Sequence, residues 1–164
     1  MNTRLLKQTA VLALAMMVTL SIGSSVLFGQ DKPEGNTLTG TWQSVVTPRD
    51  CQTGTPAPFS FKALTTFNQG GTMSEDALDV TSPYRTAGHG IWQRTSGHQY
   101  TVAWMFYTFA PNGAFSGSVK VRVNKTLGPD FNSLTGDGAV QVYDLNGDLV
   151  FTGCSDETAT RFAF

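Results

Sequence analysis

The sequence predicts an all-β fold, an eight-stranded antiparallel up-and-down barrel. Phe115–Leu127 keeps a period of two over thirteen residues, with Lys125 the one charged residue on the otherwise apolar side, which an amphipathic helix cannot do. Gly, Pro and Asn punctuate the chain at short, regular intervals, as hairpin connections require. No segment after residue 39 holds a convincing helical period.

The N-terminal residues read differently. Arg4 and Lys7 precede an unbroken apolar stretch, Ala10–Leu20, and the small residues Ser21, Gly23, Ser24 and Ser25 follow. That order is the pattern of a secretory signal peptide. Cleavage is expected after Gly23 or Gly29, with Gly29 preferred, so residues 1–29 are assigned as signal, 30–39 as a flexible leader and 40–164 as the barrel. A retained anchor is the alternative, but a spanning helix needs roughly 20 apolar residues and this run is shorter. The expected location is therefore secreted or periplasmic, with no stable membrane insertion once the signal is removed.

The strands follow in order: Gly40–Thr47, Phe59–Asn68, Thr72–Leu78, Gly88–Thr95, Gln99–Phe109, Phe115–Leu127, Asp137–Asp144 and Leu149 to the C-terminus. In Phe115–Leu127 the row of Phe115, Gly117, Val119, Val121, Val123, Lys125 and Leu127 is expected on the buried side, and Ser116, Ser118, Lys120, Arg122, Asn124 and Thr126 on the wet side. Turn residues join them at Gln69-Gly70-Gly71, Ser96-Gly97-His98, Pro111-Asn112-Gly113 and Gly128-Pro129-Asp130. Asn146-Gly147 is the strongest hairpin signal, because both residues tolerate positive φ. About eight antiparallel strands can close on themselves and still enclose a small ligand. Closure also removes exposed sheet edges. A two-sheet sandwich is the alternative.

Gln99–Phe109 departs from alternation, since Val102, Trp104 and Phe106 and also Ala103, Met105, Tyr107 and Phe109 are apolar. Its outer face should be covered, either by the loop Asp79–Ala87 or by a partner subunit in an oligomer; the loop is the preferred reading.

Two cysteines, Cys51 and Cys154, leave none over and read as one disulfide in an exported protein, with two buried thiols as the alternative. The formal net charge is −1 and becomes more negative without Arg4 and Lys7. Nothing there collects phosphates, so a nucleic-acid partner is not expected.

Gly40-Thr41-Trp42, opening the first strand, resembles the G-x-W signature of lipocalins and the wider calycin superfamily. That resemblance implies that Trp42 plugs one end of the barrel and that Arg161, near the end of the last strand, stacks over it. Leu64–Ser74 and Gly88–Thr95 look like the hairpin and middle strand of bacterial lipocalin-like domains. The T-D-Y-type motif of true lipocalins has only Val142-Tyr143-Asp144 near its place, which favours a looser lipocalin-like relative.

Candidate chemistry is sparse. His89 and His98 are the only histidines; His89 is the one weak catalytic candidate, and His98 is expected idle in a turn. Glu75, Asp76 and Asp79 read as a solvated turn or rim. Asp144–Asp148 opens like a calcium loop, but the sixth and twelfth positions are Leu149 and Ser155, so no metal site is assigned. No cofactor is assigned, and no nucleophile elbow, phosphate loop or dinucleotide fingerprint is present. The ligand-binding set is aromatic with polar handles: Phe59, Phe61 and Phe67, Trp92 and Arg94, and Tyr143. The leading functional expectation is an exported lipocalin-like barrel holding a small apolar molecule. The alternatives are a barrel cyclase or isomerase, and a surface-interaction protein whose barrel is filled.

Overall fold

The computed structural model describes residues 37–78 and 84–163. The residues read as a signal peptide, most of those read as a leader, and Asp79 lie outside the described residues. Eight strands run in chain order: β1 Gly40–Arg49, β2 Phe61–Phe67, β3 Thr72–Ala77, β4 Gly88–Ser96, β5 Gln99–Phe109, β6 Phe115–Leu127, β7 Ser133–Tyr143 and β8 Leu149–Arg161. Each pairs antiparallel with its successor, and β8 returns to pair with β1, so the sheet is a closed up-and-down barrel. The fold class expected from the sequence is the one observed.

Strand chemistry explains the wall. In β6 the residues Gly117, Val119, Val121, Val123, Lys125 and Leu127 are all buried, whereas Lys120, Arg122, Asn124 and Thr126 are exposed. Phe115, expected on the buried side, is exposed at the strand end, where the register with β5 shifts. A register slip of one residue would turn that whole row outward, so the alternation fixes the pairing with β5 and β7. At the β7–β8 hairpin, Asp144 Oδ1 accepts from the backbone amides of Asn146 and Asp148, and Gly147 takes φ 86°. At the β6–β7 turn, Asp130 accepts from Ser133 Oγ and from the amides of Asn132 and Ser133. Those bonds hold the Asp130 carboxyl below its ordinary range.

One end of the barrel is packed shut. Trp42 and Leu38 are fully buried, and the indole Nε1 donates to the Leu38 carbonyl at 2.8 Å. Arg161 is the register partner of Trp42 across the β1–β8 seam, and its guanidinium lies 4.3 Å from the Trp42 ring centre. The same guanidinium donates to the carbonyls of Thr37, Thr39 and Phe131. Phe67, Met73, Tyr100, Val102, Leu127, Leu134 and Ala159 complete this plug. The arrangement the resemblance implied for Trp42 and Arg161 is present.

The other end carries the disulfide. Cys51 and Cys154 are bonded, with Cα atoms 5.2 Å apart and 103 residues between them in sequence. The bond ties the segment after β1 to the outer face of β8, where Arg49 also pairs with Asp137 and Asp156. A disulfide of this kind fits an oxidising, extracytoplasmic environment. Among the described residues no helix is long and apolar enough to cross a membrane.

Two expectations need correction. The described part of the Asp79–Ala87 loop does not lie over the outer face of β5; it continues the wall beside it. Thr86 N donates to the Tyr107 carbonyl and Phe109 N to the Tyr84 carbonyl, so Arg85 bridges to Thr108 in the sheet plane. The outer residues Ala103 and Met105 are instead flanked by Arg122 and Lys120, their register partners on β6, and are half-buried. His98 is also not idle: it is half-buried, with Nδ1 3.0 Å from the Leu127 carbonyl and its ring against Phe131.

Removing the Arg161 guanidinium would strand three backbone carbonyls and uncover Trp42. Arg161→Ala should therefore cost about 2–4 kcal/mol in urea denaturation. Arg161→Lys, which lacks the planar fork, should recover only part of that loss.

Candidate functional site

Inside the barrel a polar layer separates the plug from a cavity. The buried polar residues are Ser44, Thr65, Glu75, Lys125, Ser155 and Glu157, each on an inward position of its strand. Lys125 Nζ pairs with Glu157 Oε2, and Ser44 Oγ donates to Glu157 Oε1 at 2.6 Å. Glycine makes that reach possible, because Gly136 stands between Lys125 and Glu157 in the register. A Cβ at Gly136 would lie 3.1 Å from Glu157 Oε2 and 2.9 Å from a Val123 methyl.

A second ion pair joins Glu75 Oε2 to Arg85 Nη2. Arg85 Nε also donates to the Thr86 carbonyl, and the guanidinium lies 3.7 Å from the centre of the Phe106 ring. Burial pushes the Glu75 carboxyl above its ordinary range, and the neighbouring Arg85 charge opposes that shift without cancelling it. Glu75 is thus an inward residue, not part of the solvated rim expected from sequence, whereas Asp76 is exposed as expected. Alternation along β3 separates the two.

Above this layer lies a cavity of about 820 Å³. Its wall is mostly aliphatic and aromatic, with Phe61, Phe106, Val119, Val121, Val140 and Val142 prominent, and Glu75, Arg85, Thr65 and Glu157 border it. Phe59, Tyr84 and Phe151 stand at the end away from Trp42 and are exposed, so the cavity meets solvent there. Trp104 also borders the cavity, and its buried Nε1 has no hydrogen-bond partner among the described residues.

Of the ligand-binding set expected from the sequence, Phe59 and Phe61 line the cavity. The other four do not. Phe67 is in the plug, 1% exposed, and Trp92 packs edge-on against it while donating to the carbonyls of Asn68 and Thr72. Both face inward, but below the polar layer, where the barrel is filled. Arg94 is exposed, and its Nε donates to the Gly97 carbonyl of the next turn. Tyr143 sits one residue out of phase with the inward Val142; its hydroxyl meets Gln141 and its ring lies beneath Lys120. His89 is exposed on the outer face opposite Met105, so a catalytic imidazole inside the barrel is not what the geometry offers.

The charged groups that reach the interior are Glu75, Arg85, Lys125 and Glu157; the sequence placed Lys125 on the inward row of its strand, but assigned none of the four to a site. A signal existed for two of them. Lys125 falls on the inward row of β6, and the same period in β8 puts Glu157 in line with Ser155 and Ala159. Oppositely charged residues in two inward rows point to a buried pair.

Fold and site together define a small closed β-barrel with an ion-paired mid-layer and an apolar internal cavity. No protein-family model matches the chain, and no curated protein matches it significantly. Among solved structures, the crystal structure of Rv2717c from M. tuberculosis is similar with a TM-score of 0.40 and 10% sequence identity, over 77% of this chain and 93% of that one.

Breaking one partner of the inner pair should be far worse than removing both. Lys125→Met leaves Glu157 charged and buried and should cost about 3–5 kcal/mol, while the double variant Lys125→Met/Glu157→Leu should recover most of it in chemical denaturation. Glu75 has its own signature. Its folded value lies above the unfolded one, so its stabilising contribution is fully present below about pH 4 and is lost as pH rises through the raised value. Stability of the native protein relative to Glu75→Gln should fall across that window, as read from urea midpoints at stepped pH.

Proposed function

We propose that the chain is an exported, lipocalin-like barrel that carries a small, mainly apolar molecule in its upper cavity. The observation that carries the reading is the cavity itself, about 820 Å³ with an apolar wall and one end in contact with solvent. Such volumes are typical of small-molecule sites, which combine apolar walls with a few polar groups. The plug of Trp42 and Arg161 supports the lipocalin-like assignment, since it closes one end and leaves ligand entry to the other. The signal-like N-terminus and the Cys51–Cys154 disulfide support export.

Titration with the neutral fluorescent probe N-phenyl-1-naphthylamine tests the reading. One molecule of probe should bind per barrel, with enhanced emission. Val121→Trp fills the cavity from the middle of β6 and should weaken probe binding at least about tenfold at an unchanged circular dichroism spectrum. Ile91→Ala, on the exposed outer face of β4, should leave binding unchanged. Equal binding by Val121→Trp and the native protein would place the probe outside the barrel and overturn the proposal.

A further inference from the structure

The two interior ion pairs differ in how completely they are used. In the Lys125–Glu157 pair both carboxylate oxygens are engaged, Oε1 by Ser44 and Oε2 by Lys125, and Lys125 is 1% exposed. That pair leaves no carboxylate oxygen free. In the Glu75–Arg85 pair only Oε2 is engaged, and Arg85 spends Nε on the Thr86 carbonyl and Nη2 on Glu75. Glu75 Oε1 and Arg85 Nη1 have no hydrogen-bond partner among the described residues, and both side chains border the cavity.

The surroundings keep these two atoms available. Phe106 covers the flat face of the guanidinium, so its approach is by the edge. Gly88 lets the carboxylate lie against the wall: a Cβ there would sit 2.9 Å from Glu75 Oε2 and 3.2 Å from Trp104 Nε1. Trp104 Nε1, the unpartnered donor, therefore belongs to the same corner.

We propose that the Glu75–Arg85 pair is the receptor for the ligand's polar end, and that this end is an uncharged group that both donates and accepts a hydrogen bond, a hydroxyl or a carboxamide. The inference rests on the ligand-carrying reading above. A bare hydrocarbon would leave the free carboxylate oxygen and the free guanidinium nitrogen unanswered at the cavity wall. A ligand carboxylate would face the Glu75 carboxylate, and a ligand ammonium would face Arg85. Because the pair is neutral as a unit, neither ion would regain its cost of desolvation. A hydroxyl or carboxamide answers both atoms and brings no charge indoors.

A matched series with one rigid body tests this: biphenyl, 4-hydroxybiphenyl, biphenyl-4-carboxamide, biphenyl-4-carboxylate and 4-(aminomethyl)biphenyl, each displacing N-phenyl-1-naphthylamine at neutral pH. The hydroxyl and carboxamide compounds should bind about five- to tenfold more tightly than biphenyl, as one or two added hydrogen bonds imply. Both ions should bind more weakly than either. In Glu75→Met/Arg85→Met, biphenyl should bind within about twofold of its native affinity and the preference for the polar compounds should vanish. If the carboxylate binds best, or the preference survives in the double variant, the inference is overturned while the cavity reading stands. If neither probe nor biphenyl binds the native protein, the cavity reading itself fails. A crystal structure of the native protein with 4-hydroxybiphenyl gives a check that needs no variant to fold. Its oxygen must lie within hydrogen-bond distance of Glu75 Oε1 or Arg85 Nη1, and any other position refutes the assignment.

Discussion

Everything in this protein depends on the seam where β8 pairs with β1. The pairing runs from Trp42 opposite Arg161 to Arg49 opposite Cys154, so it spans nearly the whole height of the wall. Closure leaves no free sheet edge and gives every strand an inner and an outer face. It also brings the two ends of the chain's β region together, which is why Arg161 can lie on Trp42 and reach back to the carbonyls of Thr37 and Thr39. At the opposite end the disulfide and the Arg49 ion pairs reinforce the same seam from outside. In the chain-entropy picture a crosslink over a loop this long stabilises by up to roughly 4–5 kcal/mol. Both ends of the seam are therefore fastened, by different chemistry.

With the wall fixed, the interior divides by side-chain size. Large rings fill one half, with Trp42, Phe67 and Tyr100 among the most buried side chains of the chain. In the other half, valines on β6 and β7 and the inward Gly153 line the space left unfilled. The charged layer between them is costly to bury and contributes little net stability, since a buried pair only roughly regains its desolvation. What it does contribute is a boundary. A side chain from the plug cannot slide upward without displacing ion-paired groups, and a ligand entering from the solvent end meets polar atoms at a defined depth. Dissimilar use of the two pairs then separates a structural element, Lys125–Glu157, from one with unoccupied atoms, Glu75–Arg85.

The barrel was legible because period-two alternation is a strong signal when one face is buried and the other wet, as in β6. Turn residues made the strand order legible too, although β7 begins at Ser133 and not at Asp137, because Asp130 caps a tighter turn and Leu134 is needed in the plug. The disulfide and the stacking of Arg161 on Trp42 followed from cysteine count and from the resemblance of the first strand. The site was legible only in part. Phe59 and Phe61 line the cavity, whereas Phe67 and Trp92 share its inward direction at the wrong height, and height along a barrel depends on strand stagger that no single segment reveals. Arg85 was out of reach for another reason: it lies inside the segment read as a loop, Asp79–Ala87, and joins the wall only through hydrogen bonds between Tyr84, Thr86 and the end of β5. Glu75 was misplaced because three nearby acidic residues suggest solvent, yet alternation turns one of them inward.

The central claim is a plug and a cavity stacked in one closed barrel, and xenon binding tests it most directly, because xenon enters dry apolar space and ignores packed or charged space. In a crystal of the protein under xenon pressure, density should appear among Phe61, Phe106, Val119 and Val121, with none beside Trp42 or between Lys125 and Glu157. A barrel that takes up no xenon above the ion-paired layer, or takes it up beneath that layer, would contradict the account.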